Sequence, residues 1–99
     1  MFSLEANDEI LSKLKEMWED EDDEDICIRL REYTIGSGWH AKIMLGLGME
    51  EMDEDEDEKI MVGDLPFIAE KDFLLKYGQK FSLSFNDDKQ LVLTALAAE

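Results

Sequence analysis

Apolar residues recur as Ile10, Leu11, Leu14, Met17 and Trp18 in the segment NDEILSKLKEMW. Spacings of three, four and seven place them on one stripe, which predicts an α-helix over about residues 7–18. Asn7, Asp8 and Glu9 suit the positive N-terminal end of that helix. Upstream, Phe2 and Leu4 alternate with Ser3, the pattern of a short edge strand. From Ile26 the period drops to two. Ile26, Ile28 and Leu30 share one face, and Cys27, Arg29 and Arg31 the other. Alternation resumes after Gly36-Ser37-Gly38, with Trp39, Ala41, Ile43, Leu45 and Leu47 on one face. That reading makes Trp39 a core residue and turns His40, Lys42 and Met44 to the opposite side. Two alternating runs joined by a glycine turn predict an antiparallel hairpin.

Farther along, Gly63-Asp64 reads as a tight turn between two short strands in KIMVGDLPFIAEK. Pro66 restricts the second of these to an edge or to a strand start. AEKDFLLKYG predicts one or two helical turns ended by Gly78. KFSLSF alternates again and buries Phe81, Leu83 and Phe85; NDD turns the chain, and KQLVLT closes the sheet. The sum is one N-terminal helix, about six short strands and one short helical turn. The expected class is therefore mainly β with an N-terminal helix (α+β), its sheets folded on one another under a helical lid. No tandem repeat and no Gly/Ser linker interrupts it.

Length predicts a single domain over residues 1–99, since 99 residues leave no room for a second core. One cysteine, Cys27, precludes an intrachain disulfide and fits a reducing compartment. The start, MFSLEANDEI, has no basic region ahead of an apolar run, and the longest mostly apolar stretch, LVLTALAA, is too short to cross a bilayer. A cytoplasmic protein without membrane contact is expected.

The net charge of −16 changes the picture through its distribution. Fifteen of 26 acidic residues lie in two segments, Glu19–Asp25 and Glu50–Glu58, leaving 11 acids against 10 Lys plus Arg elsewhere. A nearly neutral body with two extended, solvated acidic loops, at about 19–25 and 50–58, is expected. Nucleic-acid binding is disfavoured, because phosphates need a basic face.

Candidate chemistry is sparse. A phosphate loop needs its glycines ahead of a helix, whereas the residues after Gly38 have period two. Ser37 and His40 lack the strained strand-to-helix elbow of a nucleophile. Asp53, Asp55 and Asp57 alternate like calcium ligands, but Glu56 stands where such a loop needs glycine. Cys27 shares a strand face with Arg29, whose charge could activate its thiol, though a lone cysteine commonly packs as a small apolar residue. His40 lacks a second His or Cys nearby for metal binding. Arg29, Arg31, His40 and Lys42 form a polar stripe across the hairpin, either a solvated outer face or a docking surface, including for the chain's own acidic loops.

The order of elements resembles the HesB/IscA-type domain of iron–sulfur cluster biosynthesis. A strand and capped helix, the IRL strand, a glycine-serine-glycine turn, a long alternating strand, KIMVGDLPFIAEKDFLLKYG and the FSLSF strand carry the likeness over about residues 2–85. It implies a β-sandwich or pseudobarrel of short, mostly antiparallel strands. The family has Cys-Ser-Gly where this chain has Gly36-Ser37-Gly38, and it ends in a Cys-Gly-Cys segment where this chain ends LVLTALAAE. Clusters in that family need soft thiolates from both places. The resemblance thus implies the fold, while the residues argue against the cluster chemistry. The expectation is a degenerate domain, not an enzyme and without a cofactor, acting through protein contacts with a basic protein or as a homo-oligomer. Two rivals stand beside it. One is an iron or iron–sulfur carrier using carboxylates, His40 or Cys27 from two subunits, and the other an acidic mimic of nucleic acid.

Overall fold

The computed structural model describes residues 2–23 and 25–96. Glu24 of the first acidic run and the last three residues of the tail lie outside them. The chain runs β1 (Ser3–Glu5), α1 (Asp8–Glu19), β2 (Ile26–Ile35), β3 (Lys42–Glu51), β4 (Asp57–Val62), β5 (Leu65–Glu70), α2 (Lys71–Tyr77), β6 (Lys80–Phe85) and β7 (Leu91–Ala95). It is mainly β with two helices and two mixed sheets.

Helix α1 starts because the Asn7 side chain accepts a hydrogen bond from the Ile10 amide at 2.8 Å, one of the donors a helix start leaves unpaired. Its apolar stripe buries Ile10 and Leu14, and Trp18 Nε1 donates to the Ile26 carbonyl at 2.7 Å, tying the helix end to β2. Helix α2 stops at Gly78, whose φ of 97° is the left-handed conformation that favours glycine.

One sheet has the order β3-β2-β5-β4 and the other β1-β6-β7. Three strand pairs are antiparallel, while β1–β6 and β2–β5 are parallel. Strand β5 is therefore interior, and of the two places open to Pro66 the structure uses the strand start. Pro66 precedes the β2–β5 contacts at Ile28–Phe67 and Arg29–Ile68, so its missing N–H interrupts no bond of that ladder. The register sorts the larger sheet into two faces. Ile28, Leu30, Leu45, Leu47, Met49, Ile60 and Phe67 turn inward onto α1 and the smaller sheet, where the core lies. Cys27, Arg29, Arg31, Tyr33, Ile35, Lys42, Met44 and Met61 turn outward.

The hairpin between β2 and β3 forms as expected, with ten residue pairs from Ile26–Glu51 to Ile35–Lys42. Its far end corrects the expectation for Trp39. Gly36 and Gly38 both take positive φ, 87° and 61°. A 3-10 turn over Gly38–His40 uses up the residues that alternation would have placed in the strand. Trp39 consequently sits at the tip, 93% exposed, and not in the core.

Tyr33 lies against the glycines of β3. A Cβ built at Gly46 would fall 2.6 Å from its ring, and the ring is held by a hydrogen bond from its hydroxyl to the Leu47 carbonyl at 2.5 Å and by Arg31 at 4.8 Å. Gly46→Ala is expected to cost about 1–2 kcal/mol in thermal unfolding by displacing the ring. In a Tyr33→Ala background the same change should cost nothing.

Candidate functional site: the outer face of the β2–β3 ribbon

Strand β5 supports β2 only at Ile28 and Arg29. Beyond them β2 and β3 continue as a two-stranded ribbon in which every residue from Arg31 to Met44 is exposed. Tyr33, Ile35 and Met44 lie on its outer side, Ile43 on its inner side and Trp39 at the tip, all of them large and open to solvent. Two-stranded ribbons are marginal in water without a partner surface. Seventeen consecutive residues, Tyr33–Met49, contain no Asp or Glu in a chain that has 26.

The four predicted stripe residues separate into two pairs. Arg29 is buried, which corrects its place on a solvated face. Its Nη1 and Nη2 donate to Asp57 Oδ1 and Oδ2, each at 2.7 Å, and Nη2 also reaches the Glu51 carbonyl at 3.3 Å. The planar guanidinium matches the carboxylate fork, which is why arginine holds this place. Its Nε lies 3.3 Å from Glu50 Oε1, within ion-pair distance but too poorly aligned for a hydrogen bond. Arg31 pairs with Glu50 at 2.9 Å. His40 and Lys42 stand far from both, on the exposed tip. The two arginines thus receive the chain's own second acidic run.

That run is ordered, which corrects the expected solvated loop over 50–58. Glu50 and Glu51 end β3, and Asp57 and Glu58 begin β4. Between them the Asp53 carboxylate accepts from the Asp55 amide at 2.9 Å and the Glu56 amide at 3.3 Å, while Asp57 Oδ2 accepts from the Asp53 amide at 2.7 Å. Burial alone would raise the Asp57 pKa, but the hydrogen bonds from Arg29 and Asp53 and the arginine charge outweigh it and hold the carboxyl below its ordinary 3.8. Of the oxygens that the calcium reading would offer to a cation, Asp53 Oδ1 and both Asp57 oxygens are thereby engaged by N–H donors. Among the described residues no three His, Cys, Asp or Glu side chains converge as a metal site.

Cys27 is buried, and desolvation pushes its thiol pKa up against the pull of Lys59 and Arg29. Arginine activation does not win here. The thiol lines a cavity of about 520 Å³ at the base of the ribbon's outer face. Met52, Met61 and Pro66 supply further apolar wall, and Met61 is 58% exposed. Four exposed carboxylates, Asp25, Glu51, Glu54 and Asp64, stand around it against Lys59 in the lining and Lys15, which pairs with Asp64 at 3.8 Å. A hydrogen bond with Asp23 and its charge raise the Glu51 pKa, so like charge is crowded at this rim.

On the other side of the ribbon Glu32 accepts from Lys76 Nζ at 3.1 Å and from the Tyr77 hydroxyl. Those bonds, tyrosine first, lower its pKa. A cavity of about 340 Å³ runs from there to the outer-face side chains Arg29, Arg31 and Glu50; its cations Arg29, Arg31 and Lys76 are each already paired with a carboxylate.

The pairing of Arg29 with Asp57, a residue the sequence offered only as a calcium-type ligand, escaped the sequence reading, as did Met61 and the exposed tip. Period-two alternation through Asp57, Lys59 and Met61 was the available signal for the first two, hidden by the acidic run that precedes it. Among the described residues no helix is long and apolar enough to cross a membrane. No protein-family profile matches the chain, and no curated protein or solved structure is similar to it.

Proposed function

We propose that this chain is a HesB/IscA-like domain, of the iron–sulfur cluster biosynthesis type, that has given up cluster binding and works as a protein-interaction module. The observation that carries the reading is the exposed end of the ribbon, acid-free from Tyr33 on: Ile35, Trp39, Ile43 and Met44 are open to water on an element that runs past its pairing with β5. Exposed apolar groups clustered on one element mark interaction sites in soluble proteins.

The hairpin turn supports the other half of the proposal. Position 36, where the family places its first thiolate, has φ of +87°, and a Cβ there would lie 3.1 Å from the His40 carbonyl oxygen. Glycine suits that backbone and an L-cysteine is strained in it. Cys27, the one thiol of the chain, is buried on the strand before the turn. The donor set therefore does not fit a cluster, which needs several converging thiolates.

Anaerobic incubation with ferrous iron and sulfide, followed by desalting, tests this directly. No retained iron and no thiolate charge-transfer absorption are expected. Stoichiometric iron would overturn the interaction reading in favour of a carrier that uses carboxylates, His40 or Cys27 from two subunits.

A further inference from the structure

The ribbon's outer face carries unlike features at its two ends. The tip end presents Tyr33, Ile35, Met44 and Trp39 with Lys42 and no carboxylate; the base end presents a cavity of mixed lining, part-walled by Cys27, Met52, Met61 and Pro66 and ringed by Asp25, Glu51, Glu54 and Asp64. Tip and base are complementary in charge, and each offers apolar side chains to the other. We propose that they are two halves of one interface, in which the tip of one copy seats in the base cavity of a second copy, reciprocally about a two-fold axis.

Three features support a second copy as the occupant. Tyr33, Ile35, Lys42 and Met44 of the tip and Cys27 and Met61 of the cavity lie on the same outer face of the same sheet, as the register of Lys42 with Ile35 and of Met61 with Pro66 requires. Trp18, Ile26 and Glu51 close the cavity at the sheet's end. Two copies laid outer face to outer face with their ribbons antiparallel bring each tip to the other's base. One span along β2, about eight residues or roughly 26 Å, then separates tip from cavity in each copy, so a single rotation closes both contacts. Charge supplies the second argument. A chain of net charge −16 repels its copy almost everywhere, and Tyr33–Met49 is a long stretch that another copy can approach without meeting like charge. Lys42 would meet the crowded carboxylates at the rim. Lastly, the contact would cover Tyr33, Ile35, Met44, Trp39 and Met61 together, large apolar side chains that are exposed in the single copy.

This proposal rests on the interaction reading and names its partner. Sedimentation velocity of the full chain should show a concentration-dependent dimer. Lys42→Glu alone and Glu54→Lys/Asp64→Lys alone, all at exposed positions, should each weaken it at least tenfold with unchanged circular dichroism. Mixing the two variants should restore a dimer, because each altered tip or cavity then meets its opposite charge. A wild-type chain that stays monomeric up to about 1 mM would overturn the proposal. So would a dimer indifferent to Lys42→Glu, or a mixture that fails to recover. A monomer that binds an oligolysine peptide through Glu54 and Asp64 would assign the cavity to a basic protein, again overturning self-association. Iron uptake is scored separately. A monomer that takes up no iron removes this proposal and leaves the interaction reading intact.

Discussion

Asp57→Ala is expected to remove about 3–5 kcal/mol of folding stability at neutral pH, a large share of what a domain of this size has. The Asp57 side chain is 0% exposed and the Arg29 side chain 10%. Deleting the carboxylate leaves a guanidinium desolvated, with the Glu51 carbonyl and a misaligned Glu50 as its remaining partners. It also frees the Asp53 amide that Asp57 accepts. The cost reflects an uncompensated buried charge more than the worth of the pair, so Arg29→Met/Asp57→Leu should recover most of it. The pH dependence follows from the direction of the shift. A carboxyl whose folded pKa lies below its unfolded value of 3.8 contributes fully above about pH 4, and the contribution fades as pH falls through the folded value. Urea unfolding of wild type and Asp57→Ala at a series of pH values should show a constant gap above pH 4 that narrows in acid. A gap that widens in acid would contradict the pairing.

Phe81→Ala should cost a comparable amount, about 3–5 kcal/mol. Phe81 is fully buried at the centre of the smaller sheet. Its ring stacks on Phe73 of α2 at 5.5 Å and meets Phe2 edge-on at 6.3 Å. One side chain thus joins the N-terminal segment, the second helix and the core. Removing it opens a cavity that three separately anchored segments cannot collapse to fill. Urea unfolding should show the midpoint falling with little change in slope. A loss below about 1 kcal/mol would mean the aromatic cluster is not where the layers are held together.

Much of this architecture was legible before the structure. The α1 stripe, the alternation of β2, the glycine at the end of α2 and the FSLSF strand each follow from one local period that packing then used. What was not legible depended on placement. Alternation assigns a residue to a face but does not say whether another layer covers that face at that height, so Trp39 read as core while standing exposed at the hairpin tip. Composition treats an acidic run as repelling and solvated. It cannot foresee that Arg29 and Arg31, some twenty to thirty residues earlier, will neutralise two of its members. The parallel pairing of β1 with β6 had no local signature either, since strands distant in sequence carry no turn chemistry to announce them.

That last pairing sets an order on folding during synthesis. Ser3–Glu5 can join a sheet only after Lys80–Ser82 has left the ribosome, about 75 residues later in the chain. Until then Phe2 and Leu4 have no strand to lie beside, and closing so long a loop is slow. The helix and the β2–β3 hairpin can form earlier from neighbouring residues, leaving the N-terminal strand to dock late, once the smaller sheet has its central strand.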